Sequence, residues 1–173
     1  VSAPTVTLKL KPLRAGDRNR VDSIVSATGV FRAEEQAIAL EVFDAAVDRP
    51  GTDYHAIGAY DDRDQLLGFA CYGPTPCTVH TWDLYWIAVH PEAHRQGTGR
   101  ALMDLCEREI AARGGKLVVV ETSSRPDYGP TRAFYETLGY AAAARIPDFY
   151  AVHDDLVTYT KRLDSSRSAS RHG

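Results

Sequence analysis

The sequence predicts an α/β (α+β) fold, a mixed sheet with helices against it. Two patterns and their order carry that expectation. In some stretches apolar and polar residues alternate, as in half-buried strands; in others apolar residues recur every three to four positions, as on one face of a helix. The stretches follow one another as β-α-α-β-β-β-α-β-α-β-β. With 173 residues, 44% hydrophobic and 25% charged, the chain has the size and composition of one globular domain, which excludes wholesale disorder.

Val6, Leu8 and Leu10 alternate over residues 5–10, a first strand. Asp17 is placed to cap a helix that carries Val21, Ile24 and Val25 and runs to about residue 28. A second helix begins near Arg32, with Glu34 and Glu35 in its first turn, where negative charge suits the positive end of the helix dipole. Ile38, Val42 and Phe43 form its expected inward face, and Pro50-Gly51 stops it. Strands over residues 54–60 and 66–72 flank the polar turn Asp61-Asp62-Arg63-Asp64, a hairpin. After Pro74 and Pro76 a long β run covers residues 79–89. Gly97-Thr98-Gly99 opens a helix to about residue 113, with Leu102, Cys106 and Ile110 spaced by four as its buried stripe. Gly114-Gly115 ends it. Lys116-Leu117-Val118-Val119-Val120 is nearly all apolar, as in a strand covered on both faces. A short helix around residues 131–138 stops at Gly139, and residues 140–146 and 156–163 are the last strands. Residues 1–164 are read as a single domain and residues 165–173 as a disordered tail.

The net charge is −3 and the pI about 6.1, without the basic excess or basic stripe that duplex nucleic acid or an anionic membrane surface calls for. The longest apolar run, residues 84–89, is far short of a membrane span, and no secretory signal is visible. Cys71, Cys77 and Cys106 form no CxxC, so neither a disulfide framework nor a zinc ribbon is encoded. A cytoplasmic protein is expected.

The informative segment runs from Ile87-Ala88-Val89 through His90-Pro91-Glu92-Ala93-His94-Arg95-Gln96 to Gly97-Thr98-Gly99-Arg100-Ala101-Leu102. A strand ends, a polar loop turns, and closely spaced glycines start a helix. Backbone N–H groups at such a helix N-terminus suit phosphate or pyrophosphate. A P-loop needs GxxxxGK(S/T), and no Lys-Ser or Lys-Thr stands here. The dinucleotide fingerprint GxGxxG is half present, with Glu121 about 20 residues on, but its third glycine is Leu102 and the loop is long.

The same stretch resembles motif A of the GNAT N-acetyltransferases, and Ala133-Phe134-Tyr135-Glu136-Thr137-Leu138-Gly139-Tyr140 resembles their motif B. The two stand in the family's order, with one helix and one strand between them. In two places the chain departs from the family. His94 stands where the (R/Q)xxGx(G/A) signature opens, and Tyr128 stands where an Asn often precedes the motif B tyrosine.

The resemblance implies a GNAT-like mixed, mostly antiparallel central sheet flanked by helices, and acetyl-CoA as cosubstrate with no metal. It implies that Ile87, Ala88 and Val89 offer backbone groups to pantetheine, with the Val89 N–H toward the thioester oxygen. Arg95, Gln96, Gly97, Thr98, Gly99 and Arg100 would hold the pyrophosphate, and the Tyr128 phenol would stand in for the Asn. The acetyl group would pass to a primary amine by direct attack, the amine belonging to a small molecule or to a protein N-terminus or lysine.

Such an amine arrives largely protonated, so a base is needed. Asp83 is the first candidate, on the strand face of Tyr85, Ile87 and Val89 and matching a family Glu; Glu121 is the reserve. Tyr135 matches the tyrosine that protonates the leaving thiolate. Each residue also has a plainer reading: Asp83 as a solvated strand-end carboxylate, Tyr135 as a core aromatic. His90 and His94 form HxxxH but read as loop histidines, since Pro91 disfavours helix there. Pro147-Asp148-Phe149-Tyr150 with Asp154-Asp155 reads as an acidic, aromatic rim to the acceptor site or as a solvated loop. A monomer or homodimer is expected, with no nucleic-acid or membrane partner. The alternatives are a non-catalytic acyl-CoA-binding or sensor module and, third, an NAD-dependent oxidoreductase.

Overall fold

The structure, a computed structural model, describes residues 7–163. The expected tail at 165–173 and the start of the expected first strand lie outside those residues. Seven strands form one sheet in the order β1-β2-β3-β4-β5-β7-β6, with mostly antiparallel neighbours and a parallel β4–β5 pair. The described residues pack into two compact units. One holds residues up to 73 with 85–106, the other 74–84 with 107–163. Strand β4 (Thr81–Val89) and helix α3 (Thr98–Ala112) each begin in one unit and end in the other.

The first unit contains β1 (Lys9–Pro12), α1 (Arg18–Thr28), α2 (Ala33–Asp48), β2 (His55–Tyr60) and β3 (Leu66–Pro74). Val21, Ile24 and Val25 of α1 and Ala39 and Phe43 of α2 pack on Tyr60, Phe69, Cys71 and Ala88 of the strands. Burying that apolar surface supplies most of the unit's stability. Two expectations change here. Of the expected face of α2, Phe43 is buried and Val42 packs against the core, but Ile38 is 51% exposed while Ala39 and Ala46 are buried. Asp17 does not cap α1 with its side chain: it precedes the helix in a 3₁₀ turn, and its carboxylate accepts from Arg14 N (2.8 Å) and Tyr60 Oη (2.6 Å). The hairpin turn forms as expected, with Asp61 Oδ1 accepting from Arg63 N and Gln65 N.

The second unit contains β5 (Leu117–Ser123), α4 (Gly129–Thr137), β6 (Ala141–Ala151) and β7 (Asp154–Arg162). β5 runs three residues beyond its expected end. Val118 and Val120 are buried while Leu117 and Val119 are only half-buried, so one face is covered fully and the other in part. Gly139 takes φ +85° and ends α4. Lys161 of β7 pairs with Glu107 at 2.7 Å, and Tyr140 Oη donates to the same carboxylate, tying the end of α3 to the sheet.

Candidate active site

In the first unit, β4 ends at Val89 and a 3₁₀ turn, Pro91–Ala93, leads toward α3. The loop is braced from within. His94 Nε2 donates to Val89 O at 2.9 Å, Gln96 Nε2 donates to Glu92 O at 2.9 Å, and Thr98, 1% exposed, donates its hydroxyl to Ala93 O at 3.4 Å. The departure at His94 therefore has a structural use: it ties the loop to the strand it leaves. His90 is occupied separately, its Nδ1 accepting from Glu92 N.

Arg95 and Gly97 have φ of +62° and +78°, the left-handed region, which turns the chain sharply into the helix. A Cβ built on Gly97 would meet no atom within 4 Å, so the space over the turn is open. The first helical bond runs from Ala101 N to Gly97 O at 2.9 Å. The amides of Thr98, Gly99 and Arg100 come before it and have no acceptor within the helix. Three such N–H groups, the positive end of the α3 dipole and the exposed Arg95 and Arg100 suit a pyrophosphate. Upstream, Ala88 is buried and Ile87 and Val89 are half-buried. Gly68 of β3 lets their backbone approach closely: a Cβ there would lie 2.9 Å from Ala88 O and 3.2 Å from Val89 Cα.

The second unit holds the acid–base candidates. The β4–β5 ladder runs from Thr81↔Leu117 to Leu84↔Val120, and β5 stays paired to β7 as far as Ser123↔Leu156. Asp83 lies opposite Val119, and Glu121 follows two residues on, so the two carboxylates share one face. Asp83 is half-buried and accepts from the Thr75 hydroxyl at 2.8 Å. Glu121 has no hydrogen bond to a protein group among the described residues. Glu121 is exposed, yet loss of solvation beside its neighbours, and then the negative charge of Asp83, hold its pKa above the ordinary carboxylate value.

Tyr135 is 4% exposed, its ring 5.7–6.0 Å from those of Phe134, Tyr140 and Tyr159. Burial, and then the neighbouring Tyr128 phenol, push its pKa up, so it stays protonated. Its hydroxyl bonds no protein group among the described residues. Tyr135 is a core aromatic that keeps its phenolic proton. Tyr128 is buried in the turn before α4, with the Arg125 guanidinium 5.0 Å from its ring centroid.

Asp83 with Glu121, and Tyr128 with Tyr135, are therefore neighbours, while residues 87–100 belong to the first unit. The carboxylates of the acidic stretch are engaged within the protein. Asp154 is 3% exposed and accepts from Ser123 Oγ at 2.5 Å. Asp155 accepts from Arg145 Nε (2.6 Å) and Asp148 N (2.9 Å), and Asp148 accepts from His153 N (2.7 Å). Asp148 and Asp155 brace the β6–β7 turn and Asp154 ties the start of β7 to β5, while Phe149, Tyr150 and Val152 are exposed. Sequence reasoning missed Thr75, which has no motif; its one signal is a hydroxyl in the Pro-flanked stretch that enters β4.

The sequence profile of the acetyltransferase (GNAT) domain matches residues 52–142. A GNAT-family protein from Desulfovibrio desulfuricans is 39% identical, with a TM-score of 0.85 over 92% of this chain and 99% of that one. A ribosomal-protein alanine N-acetyltransferase from Escherichia coli is 20% identical, with a TM-score of 0.72 over 94% of this chain and 98% of that one. An aminoglycoside 6′-N-acetyltransferase complexed with coenzyme A is 17% identical, with a TM-score of 0.71 over 90% and 97%. No curated protein matches the sequence. With more than half its length under the family profile and a 39% identical relative along nearly all of it, this chain belongs to the GNAT acetyltransferase family.

Proposed function

We propose that this protein is an acetyl-CoA-dependent N-acetyltransferase that moves the acetyl group to a primary amine by direct attack. The observation that carries it is the start of α3: an open left-handed glycine followed by three amides without helical acceptors, inside the motif that marks the family. Bound there, acetyl-CoA would supply a thioester whose carbonyl carbon forms the new C–N bond as the C–S bond breaks. Thr98, Gly99 and Arg100 donate backbone N–H groups to the pyrophosphate, and the side chains of Arg95, Gln96 and Arg100 flank it. Gly97 admits it by having no side chain. Backbone groups of Ile87, Ala88 and Val89 meet the pantetheine arm, the Val89 N–H stabilising charge on the thioester oxygen.

Glu121, with no protein hydrogen bond among the described residues and its pKa raised, takes the ammonium proton directly or through water. The Tyr135 hydroxyl gives a proton to the departing thiolate and is restored by the second N–H proton, which the nitrogen sheds as the amide forms, and Tyr128 flanks that step. We place the enzyme in the cytoplasm, as a monomer or homodimer acting without a metal, a nucleic acid or a membrane. Among the structural neighbours, one acetylates an aminoglycoside and another a ribosomal-protein alanine. Both a small amine and a protein N-terminus or lysine are therefore acceptor classes to screen. Thiol release from acetyl-CoA, measured across small amines and N-terminal peptides, tests the function. Turnover with an amine is expected; tight acetyl-CoA binding without turnover on any amine would leave a non-catalytic acyl-CoA module.

A further inference from the structure

The peptide unit that joins Val89 to His90, where β4 ends, is bonded on both sides. His90 N donates to Leu67 O of β3 at 2.8 Å, and Val89 O accepts from His94 Nε2 at 2.9 Å. In a trans peptide the N–H and C=O point opposite ways, so Val89 O faces away from β3. A residue in a strand turns its own N–H and C=O to one side, so the Val89 N–H faces away from β3 too, beside the carbonyl that His94 holds. Behind it, Gly68 lets Ala88 O and Val89 Cα lie close against β3: a Cβ there would stand 2.9 and 3.2 Å from them. With β3 on one side of Val89 and the imidazole on the other, the direction of its N–H is fixed. Because Val89 O can only accept, a neutral His94 ring carries its proton on Nε2.

His94 is exposed, and an exposed hydrogen bond adds little to folding stability, so the effect of this one is local. A carbonyl without a donor would turn its negative end toward any negative charge that gathers at the neighbouring N–H. We propose that His94 is a positioning residue: by holding Val89 O, its imidazole keeps the Val89 N–H aimed at the thioester oxygen and keeps the carbonyl from opposing the oxyanion. This role rests on the acyl transfer proposed above. It calls for an N–H donor at that reach and not for a titrating ring, so a glutamine amide can serve in its place.

The test compares His94→Ala and His94→Gln with the parent. His94→Ala should lower kcat roughly tenfold, less than the roughly 10²–10³ lost with an oxyanion donor itself, while KM for acetyl-CoA stays within about twofold. Its Tm should barely move, and His94→Gln should restore most of kcat. Two spectra need no turnover. Nitrogen-15 NMR of the His94 ring should find the proton on Nε2. The Val89 amide proton should move further downfield with acetyl-CoA than with coenzyme A in the parent and in His94→Gln, and lose that difference in His94→Ala. A neutral ring protonated on Nδ1 would overturn the proposal, and so would a Val89 shift that ignores His94→Ala. A raised KM for acetyl-CoA at parental kcat would overturn it as well and leave His94 a brace for the loop alone. A parent that acetylates no amine would instead overturn the function itself, and the Val89 amide would still decide whether His94 sets its contact with the thioester.

Discussion

Tyr135 shows how much can turn on one oxygen. Tyr135→Phe keeps the ring among Phe134, Tyr140 and Tyr159, so stability should barely change. Turnover should fall by roughly 10²–10⁴ if the phenol protonates the thiolate, while acetyl-CoA affinity holds, because its contacts are assigned to backbone groups elsewhere. Steady-state kinetics beside calorimetric binding would show the contrast; a mutant that melts lower yet turns over normally would leave Tyr135 a core residue only. Gly97 makes the complementary case. Its positive φ and the open space above it mean that Gly97→Asp strains the turn and sets a negative charge where a pyrophosphate belongs. Coenzyme A affinity should drop at least tenfold, read by calorimetry with circular dichroism confirming an intact fold. Both residues were legible in the sequence, because each sits in a short motif whose geometry is local. Thr75 was not, since nothing local distinguishes a hydroxyl that meets Asp83 eight residues later from one that meets water.

At the scale of elements, the order and type of every strand and helix followed from periodicity. The errors lie where a face, a boundary or a partner was at issue. On α2 the expected Phe43 and Val42 do face the core, but Ile38 was expected inside and Ala39 is. The apolar run of β5 suggested two covered faces, whereas Leu117 and Val119 remain half-exposed. Apolar content registers affinity for an interior but not how completely neighbours close over it. The packing of β3 on β4 yields a prediction. A methyl at Gly68 would press on Ala88 O at 2.9 Å and Val89 Cα at 3.2 Å, backbone atoms that move only with the strand. Gly68→Ala should cost about 1–3 kcal/mol in denaturant unfolding. It should also weaken acetyl-CoA binding, since Ala88 and Val89 are the residues displaced. An unchanged midpoint would mean that the strands have slack there.

For the whole molecule, the net charge of −3 is the basis on which no nucleic-acid partner is expected, and no helix among the described residues is long and apolar enough to cross a membrane. Ligand linkage then tests the assigned chemistry on the intact protein. Coenzyme A that binds only the folded chain should add about 2.7 kcal/mol at a hundredfold excess over Kd, seen as a higher Tm. No shift at millimolar coenzyme A would defeat the cofactor assignment. By itself the sequence determined the succession of elements, the glycine turn into α3 and the motif B tyrosine. Each is written in residues near one another, where periodicity and turn chemistry act. Only the tertiary structure decided that Asp83 and Glu121 face each other differently, that Asp154 is buried against Ser123, and that the acidic stretch before β7 braces a turn. Strand register brings Ser123 to Asp154 across the β5–β7 pair, and turn geometry brings Asp148 to Asp155, so whether a carboxylate is bonded depends on which groups arrive beside it.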